Sequence, residues 1–123
     1  MAKHLELGRK GEDLATEYLL KQGFTILERN WTYENAELDI IARDEDILVF
    51  VEVKTRTGNA YGDPEDAVDK RKISKILEAA EAYVEEKNLD NEIRFDIIAI
   101  VIKGGRYELE HIPDAIYPFD EGE

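Results

Sequence analysis

The run Ile47-Leu48-Val49-Phe50-Val51-Glu52-Val53-Lys54 constrains this chain more than any other segment. It is the most strongly β-forming stretch present, rich in Val, Ile and Phe. A nearly continuous apolar strand has to be buried on both faces, so this one belongs in the middle of a sheet. Yet the run ends on two charges, Glu52 and Lys54, which alternate with Val53 and therefore share one face of the strand.

Around this strand the chain divides into a short series of elements. Leu14, Ala15, Tyr18 and Leu19 recur at helical spacing between Gly8 and Gln22, and Gly23 stands where a helix stop is expected. Phe24 to Trp31 predicts a first strand and Glu37 to Arg43 a second, with a turn at Tyr33-Glu34-Asn35 between them. Asp44-Glu45-Asp46 is a short hairpin connection to the apolar strand. Thr55 to Gly62 reads as a loop. Asp63-Pro64-Glu65-Asp66 resembles a helix start, with Asp69 a possible second one, and Ile73, Ile76, Leu77, Ala80, Tyr83 and Val84 trace a helical stripe that ends near Asn88. Ile93 to Ile102 and Arg106 to Ile112 predict two further strands joined at Gly104-Gly105. The expected fold is α/β, in the order α-β-β-β-α-β-β, with residues 1–113 as a single domain and 114–123 as an acidic, flexible tail.

Composition removes several kinds of function. Cysteine is absent, which excludes disulfides, thiolate metal sites and cysteine nucleophiles and suits a reducing compartment. There is no signal-peptide-like or membrane-spanning apolar stretch, so a cytoplasmic protein is expected. The net charge of −13 repels a phosphate backbone at long range and opposes tight sequence-independent DNA binding. The charge is uneven, however. Lys54, Arg56, Lys70, Arg71, Lys72 and Lys75 make the 54–75 window net +2, and Arg56, Lys70, Arg71, Lys72 and Lys75 are candidate nucleic-acid contacts; a solvated helix face accounts for the same charges equally well.

The chemistry-bearing residues fall on two neighbouring strands. Glu37 and Asp39 share one face of the second strand, and the short hairpin brings Asp39 and Glu52 toward one point with Lys54 beside them. Carboxylates at the edge of an apolar sheet are costly unless a cation binds there, and Mg²⁺ or Mn²⁺ accepts hard oxygen ligands while keeping positions for water and a substrate phosphate. A lysine in the third position would steer an attacking water and neutralise charge developing at phosphorus. Glu12 on the first helix can turn inward as an extra ligand, and Glu37 is a supporting candidate. The same acid-x-lysine spacing at Glu85-Glu86-Lys87 has no partner acid and reads as a solvated charge run. A structural ion pair without chemistry is the competing account of Asp39, Glu52 and Lys54.

Gly8-Arg9-Lys10-Gly11-Glu12, Tyr18-Leu19, Gly23-Phe24, Ile26 to Trp31, Glu37-Leu38-Asp39-Ile40-Ile41-Ala42, Val49 to Arg56, Tyr61-Gly62 and Ala67-Val68 together resemble the YraN family. This family of small bacterial proteins is similar to archaeal Holliday-junction resolvases and to the restriction-endonuclease-like PD-(D/E)XK nucleases. The resemblance implies a central mixed five-stranded sheet flanked by helices, with Asp39 and Glu52 as metal ligands and Lys54 as the catalytic lysine. Glu12 matches the helix-one glutamate of the resolvases, and Val53 is a further metal position. The implied activity is Mg²⁺- or Mn²⁺-dependent hydrolysis of DNA, branched or distorted, by a two-fold homodimer. Ala36 departs from the glycine usual in the family, and Thr32, Tyr33 and Glu34 stand where basic residues are frequent, which weakens the expected grip on DNA. A non-catalytic module that recognises nucleic acid or a protein partner, one that could supply basic surface, is the alternative.

His4 and His111 lack partners at metal spacing and are expected to be surface or structural. Trp31 and Tyr61 could stack on bases, but a lone Trp ending an apolar strand more often belongs to the core. Asp96, among Ile and Phe on the fourth strand, is a minor candidate for a polar contact. Gly104-Gly105 has no following helix and makes no phosphate loop.

Overall fold

A computed structural model describes residues 2–58 and 70–116. Its elements run α1 (Ala2–Lys21), β1 (Thr25–Tyr33), β2 (Ala36–Asp44), β3 (Ile47–Thr57), α2 (Lys70–Glu86), β4 (Ile93–Lys103) and β5 (Arg106–Ile112). The strands form one open mixed sheet in the order β1-β2-β3-β4-β5, so the apolar run at Ile47 is central, as its composition requires. β3 and β4 are parallel and every other pair is antiparallel. A parallel pair cannot be joined by a tight turn, and α2 lies in the crossover between them.

Alternation along β3 divides the core in two. Leu48 and Phe50 face α2, where Ile76, Ala79, Ala80 and Tyr83 cover them together with Ile41, Phe95 and Ile97. Val49 and Val51 face α1, packing with Ala15, Leu19, Ile40, Ile98 and Ile100. Trp31 packs edge-on against Tyr83, with ring centroids 5.1 Å apart, as a half-buried core residue. Both helices end in the same way. At α1, Phe24 N–H donates to Leu19 O and Gly23 N–H to Leu20 O, while Gly23 takes φ 95°. This is a Schellman ending in which glycine avoids the Cβ penalty and Phe24 packs back toward Leu19. At α2, Asn88 takes φ 56° and Leu89 N–H reaches Val84 O, so the stop falls where the sequence placed it.

Several expected boundaries move. α1 starts at Ala2 rather than Gly8, because the helix continues through Gly8 and Gly11 despite the cost of about 1 kcal/mol for each interior glycine. At Gly11 the reason is visible: a Cβ there would overlap the Thr55 side chain, so the glycine lets α1 lie against β3. Thr55 to Thr57, read from sequence as loop, instead continues β3 and pairs with Ile100 to Ile102 of β4. A long apolar partner strand supplies the ladder that local propensity did not announce. Asp114, Ala115 and Ile116, on the tail side of the boundary expected after Pro113, are held against the sheet. Ala115 N–H donates to Phe95 O at 2.7 Å, and Ile116 is buried. Tyr61, the expected helix start at 63–66 and Asp69 lie outside the described residues, as do residues 117–123. No helix among the described residues is long and apolar enough to cross a membrane.

Candidate functional site

β2 and β3 are paired only from Asp44↔Ile47 to Ile40↔Val51. Beyond that point β2 stays with β1, through Leu38, Glu37 and Ala36, while β3 stays with β4 as far as Thr57. The sheet therefore forks immediately after Ile40 and Val51. A fork strands backbone donors, and buried donors need acceptors. Here the Asp39 carboxylate serves: Val53 N–H donates to Asp39 Oδ2 at 2.8 Å. Val53, expected as a metal position, thus contributes its amide to holding Asp39 in place.

Glu52 follows Phe50 on the α2 side of β3 and is only 5% exposed. Its Oε1 meets Lys72 Nζ of α2 at 3.2 Å, whereas its Oε2 is buried with no hydrogen-bond partner. A buried carboxylate oxygen without a donor is costly, and it is the kind of group a cation satisfies. Burial drives the Asp39 carboxyl up to about 8, and the adjacent Glu52 charge pushes it the same way against the pull of the Val53 amide. Burial also raises Glu52, opposed by the ammonium groups of Lys72 and Lys54. Two acids that both resist ionising, side by side, define a site short of positive charge.

The other expected residues surround this pair. Lys54 lies close enough to bear on Glu52, and Glu37 also acts on it with the opposite sign. Glu12 acts on Asp39 from α1. Its carboxylate is shared with Arg29 of β1, 3.5 Å away, and Arg29 also holds Asp13 at 2.9 Å. Asn35, Ala36, Glu37, Asp39, Lys72, Lys75 and Ile76 line a cavity of about 160 Å³ between the start of β2 and the first turns of α2. Of the basic candidates, Lys72 and Lys75 thus reach the site. Arg56 lies two residues beyond Lys54 on the extended β3, Arg71 is exposed, and the side chain of Lys70 is outside the described set.

Among the described residues no three His, Cys, Asp or Glu side chains cluster tightly enough to hold a metal by themselves. Asp39 and Glu52 are the pair that could hold one, with water completing the shell. Magnesium-type ions are commonly bound by one or two carboxylates, and the orphaned Glu52 Oε2 fits that role.

Sequence reasoning missed one contact and saw a second feature only in part, naming Asp96 as a candidate polar contact without its partners. Lys72 was assigned to a basic surface, and nothing in the sequence says that its turn of α2 lies opposite Glu52. The second is a separate polar network on the α1 side of the sheet, where Asp96 lies beside Val51. Asp96 is fully buried and accepts from Arg94 Nε at 2.9 Å, Arg94 Nη2 at 3.0 Å and Asp114 N–H at 2.9 Å. His111 Nε2 lies 2.7 Å from it, and His111 Nδ1 lies 3.0 Å from the Tyr18 hydroxyl. Burial would raise Asp96, but the bonds from His111, Arg94 and Asp114 outweigh it and hold its carboxyl below the usual range. Every acceptor there is engaged, so Asp96 and His111 join the sheet to α1 and the 114–116 segment. The signal available was an acid inside an apolar strand with Arg94 two residues before it.

Among the described residues these features define an α/β protein with a mixed five-stranded sheet, two helices and a carboxylate pair at a sheet fork. Comparison with known proteins then places it: the chain belongs to the uncharacterised protein family UPF0102, whose family description matches residues 11–100. This is the family to which the YraN resemblance pointed. A UPF0102 protein of Flavobacterium psychrophilum is 50% identical over 119 residues, covering 97% of this chain and 100% of that protein. One of Parabacteroides distasonis is 47% identical over 117 residues, covering 95% and 97% respectively. One of Bacteroides thetaiotaomicron is 45% identical over 118 residues, covering 96% and 98%.

Proposed function

We propose that this protein is a divalent-metal-dependent nuclease of the restriction-endonuclease-like class that hydrolyses DNA phosphodiester bonds, with branched or distorted DNA as its substrate. The observation that carries the reading is the convergence of Asp39 and Glu52 at the fork, with one Glu52 oxygen buried and unpartnered. Asp39 and Glu52 would hold Mg²⁺ or Mn²⁺, with Glu12 adding a contact directly or through water. When bound, the ion supplies polarisation of a phosphoryl oxygen and a lower pKa for the attacking water. Lys54, beside Glu52, would orient the attacking water and offset the negative charge that grows on the phosphoryl oxygens as the water oxygen bonds to phosphorus and the scissile P–O bond breaks. Val53 keeps Asp39 aimed at the site through its amide.

Net charge favours a second reading. At −13 the chain is poorly suited to hold DNA unaided, so a non-catalytic module, or an enzyme that borrows basic surface from a partner, fits the charge better. One assay separates the two. Single-stranded, duplex, flap and four-way-junction DNA is incubated with protein and Mn²⁺ at low salt, with Glu52→Gln purified identically as control. Cleavage by the native protein alone supports the nuclease. Mn²⁺ binding without cleavage of any substrate supports the module. Lys54→Ala should lower turnover about a hundredfold or more while Mn²⁺ affinity stays nearly unchanged, because Lys54 acts on the water and phosphorus rather than as a ligand.

A further inference from the structure

We propose that Lys72 is an interlock: without metal its ammonium holds Glu52, and with metal it is released to a phosphate of the nucleic acid seated in the adjoining cavity. This rests on the metal-site reading above and adds to it a phosphate seat and an order of binding. Lys72 belongs to both places at once, since its Nζ is 3.2 Å from Glu52 Oε1 and its side chain also lines the cavity beside Asp39. Glu52 is 6% exposed at its side chain and Lys72 43%, so the carboxylate is fixed while the lysine has room to swing. Lys75, one turn further along α2, lines the same cavity, so two lysines of one helix face border it. The cavity volume of about 160 Å³ accommodates a phosphate group with a few waters, each water occupying about 30 Å³.

Charge sets the order. Glu37 and Asp39 line the same cavity, so a phosphate entering before the metal meets carboxylates while Lys72 is committed to Glu52. Once a divalent cation takes Asp39 and Glu52, the carboxylate charge is neutralised and the hold of Glu52 on the Lys72 ammonium weakens. A phosphate then becomes its natural partner. Lys72 therefore opposes the metal and favours the nucleic acid, and its removal moves the two affinities in opposite directions. A purely structural lysine would not do that.

The test is calorimetric titration of Mn²⁺ into native protein, Lys72→Met and Lys75→Met, followed by titration of a short phosphorothioate oligonucleotide with and without Mn²⁺. Lys72→Met should bind Mn²⁺ about fivefold more tightly, as expected from losing one partly exposed ion pair. The same variant should bind the oligonucleotide more weakly in Mn²⁺. Lys75→Met removes the same charge from the same cavity and should weaken the oligonucleotide while leaving Mn²⁺ affinity within about twofold. Lys72→Gln replaces Lys72→Met if the latter does not fold. Mn²⁺ bound by the native protein and equally well or more weakly by the Lys72 variant overturns the interlock and leaves the metal site standing. Mn²⁺ bound by none of the proteins overturns both.

Discussion

Asp39 combines a structural hydrogen bond with a strongly shifted titration. Its carboxylate caps the Val53 amide at the fork, yet burial and Glu52 raise its titration from 3.8 to about 8. A folded-state value above the unfolded one means that the native protein holds a proton which the unfolded chain releases. The consequence is stability that is present below the unfolded value and lost as pH climbs from about 4 to about 8, with the shift in Glu52 acting in the same direction. In urea denaturation across this range, Asp39→Asn should gain on the native protein and the gap should level off above pH 8. A constant gap would contradict the shift. Because ligands must be deprotonated, Mn²⁺ affinity should rise over the same window. Asp96 has the opposite sign. Its depressed carboxyl contributes stability above the unfolded value near 3.8, and that stability is lost as pH falls through the folded value. Asp96→Ala should cost about 3–5 kcal/mol at neutral pH, because it removes the shared acceptor of the half-buried Arg94 guanidinium, His111 and the Asp114 N–H.

Among the elements, α1 and β3 approach each other closely at Gly11 and Thr55. Gly11→Ala would press a methyl group into the Thr55 side chain, and overpacking of this kind costs about 1–3 kcal/mol. Thr55→Ala should recover part of that loss, a coupling that a double-mutant cycle on chemical denaturation would measure. Since Glu12 is the next residue, a displaced α1 should also weaken Mn²⁺ binding if Glu12 contributes to the site. The extension of β3 past Lys54 matters for the same reason. Pairing with β4 as far as Thr57 keeps Glu52 and Lys54 on a rigid strand instead of at the mouth of a loop.

For the molecule as a whole, net charge would govern the encounter with nucleic acid that the proposed function requires. A body of −13 carrying a few cations at one fork should bind DNA through few phosphates, so affinity should fall only gently with salt. Plotted as log affinity against log salt, a site with two to four contacts has a slope of about −2 to −4, and a steeper slope would point to a wider basic surface. A two-fold dimer, if it forms, brings two acidic bodies together and should be favoured by added salt. Light scattering at micromolar protein in low and moderate salt measures this directly.

Much of this protein is set locally. The nearly continuous apolar run Ile47–Lys54 specified a central strand with charges at its end, and glycine and asparagine marked both helix stops. The short turn at Asp44-Glu45-Asp46 was enough to bring Asp39 toward Glu52. These features are legible because strand periodicity, turn chemistry and capping depend on residues only a few positions apart. Three others were decided by long-range packing: the fork after Ile40 and Val51, the continuation of β3 to Thr57, and the meeting of Lys72 with Glu52. Each requires knowing which strand pairs with which and which turn of a helix lies over which residue. Sequence separation hides that information, and the buried core of the folded chain supplies it.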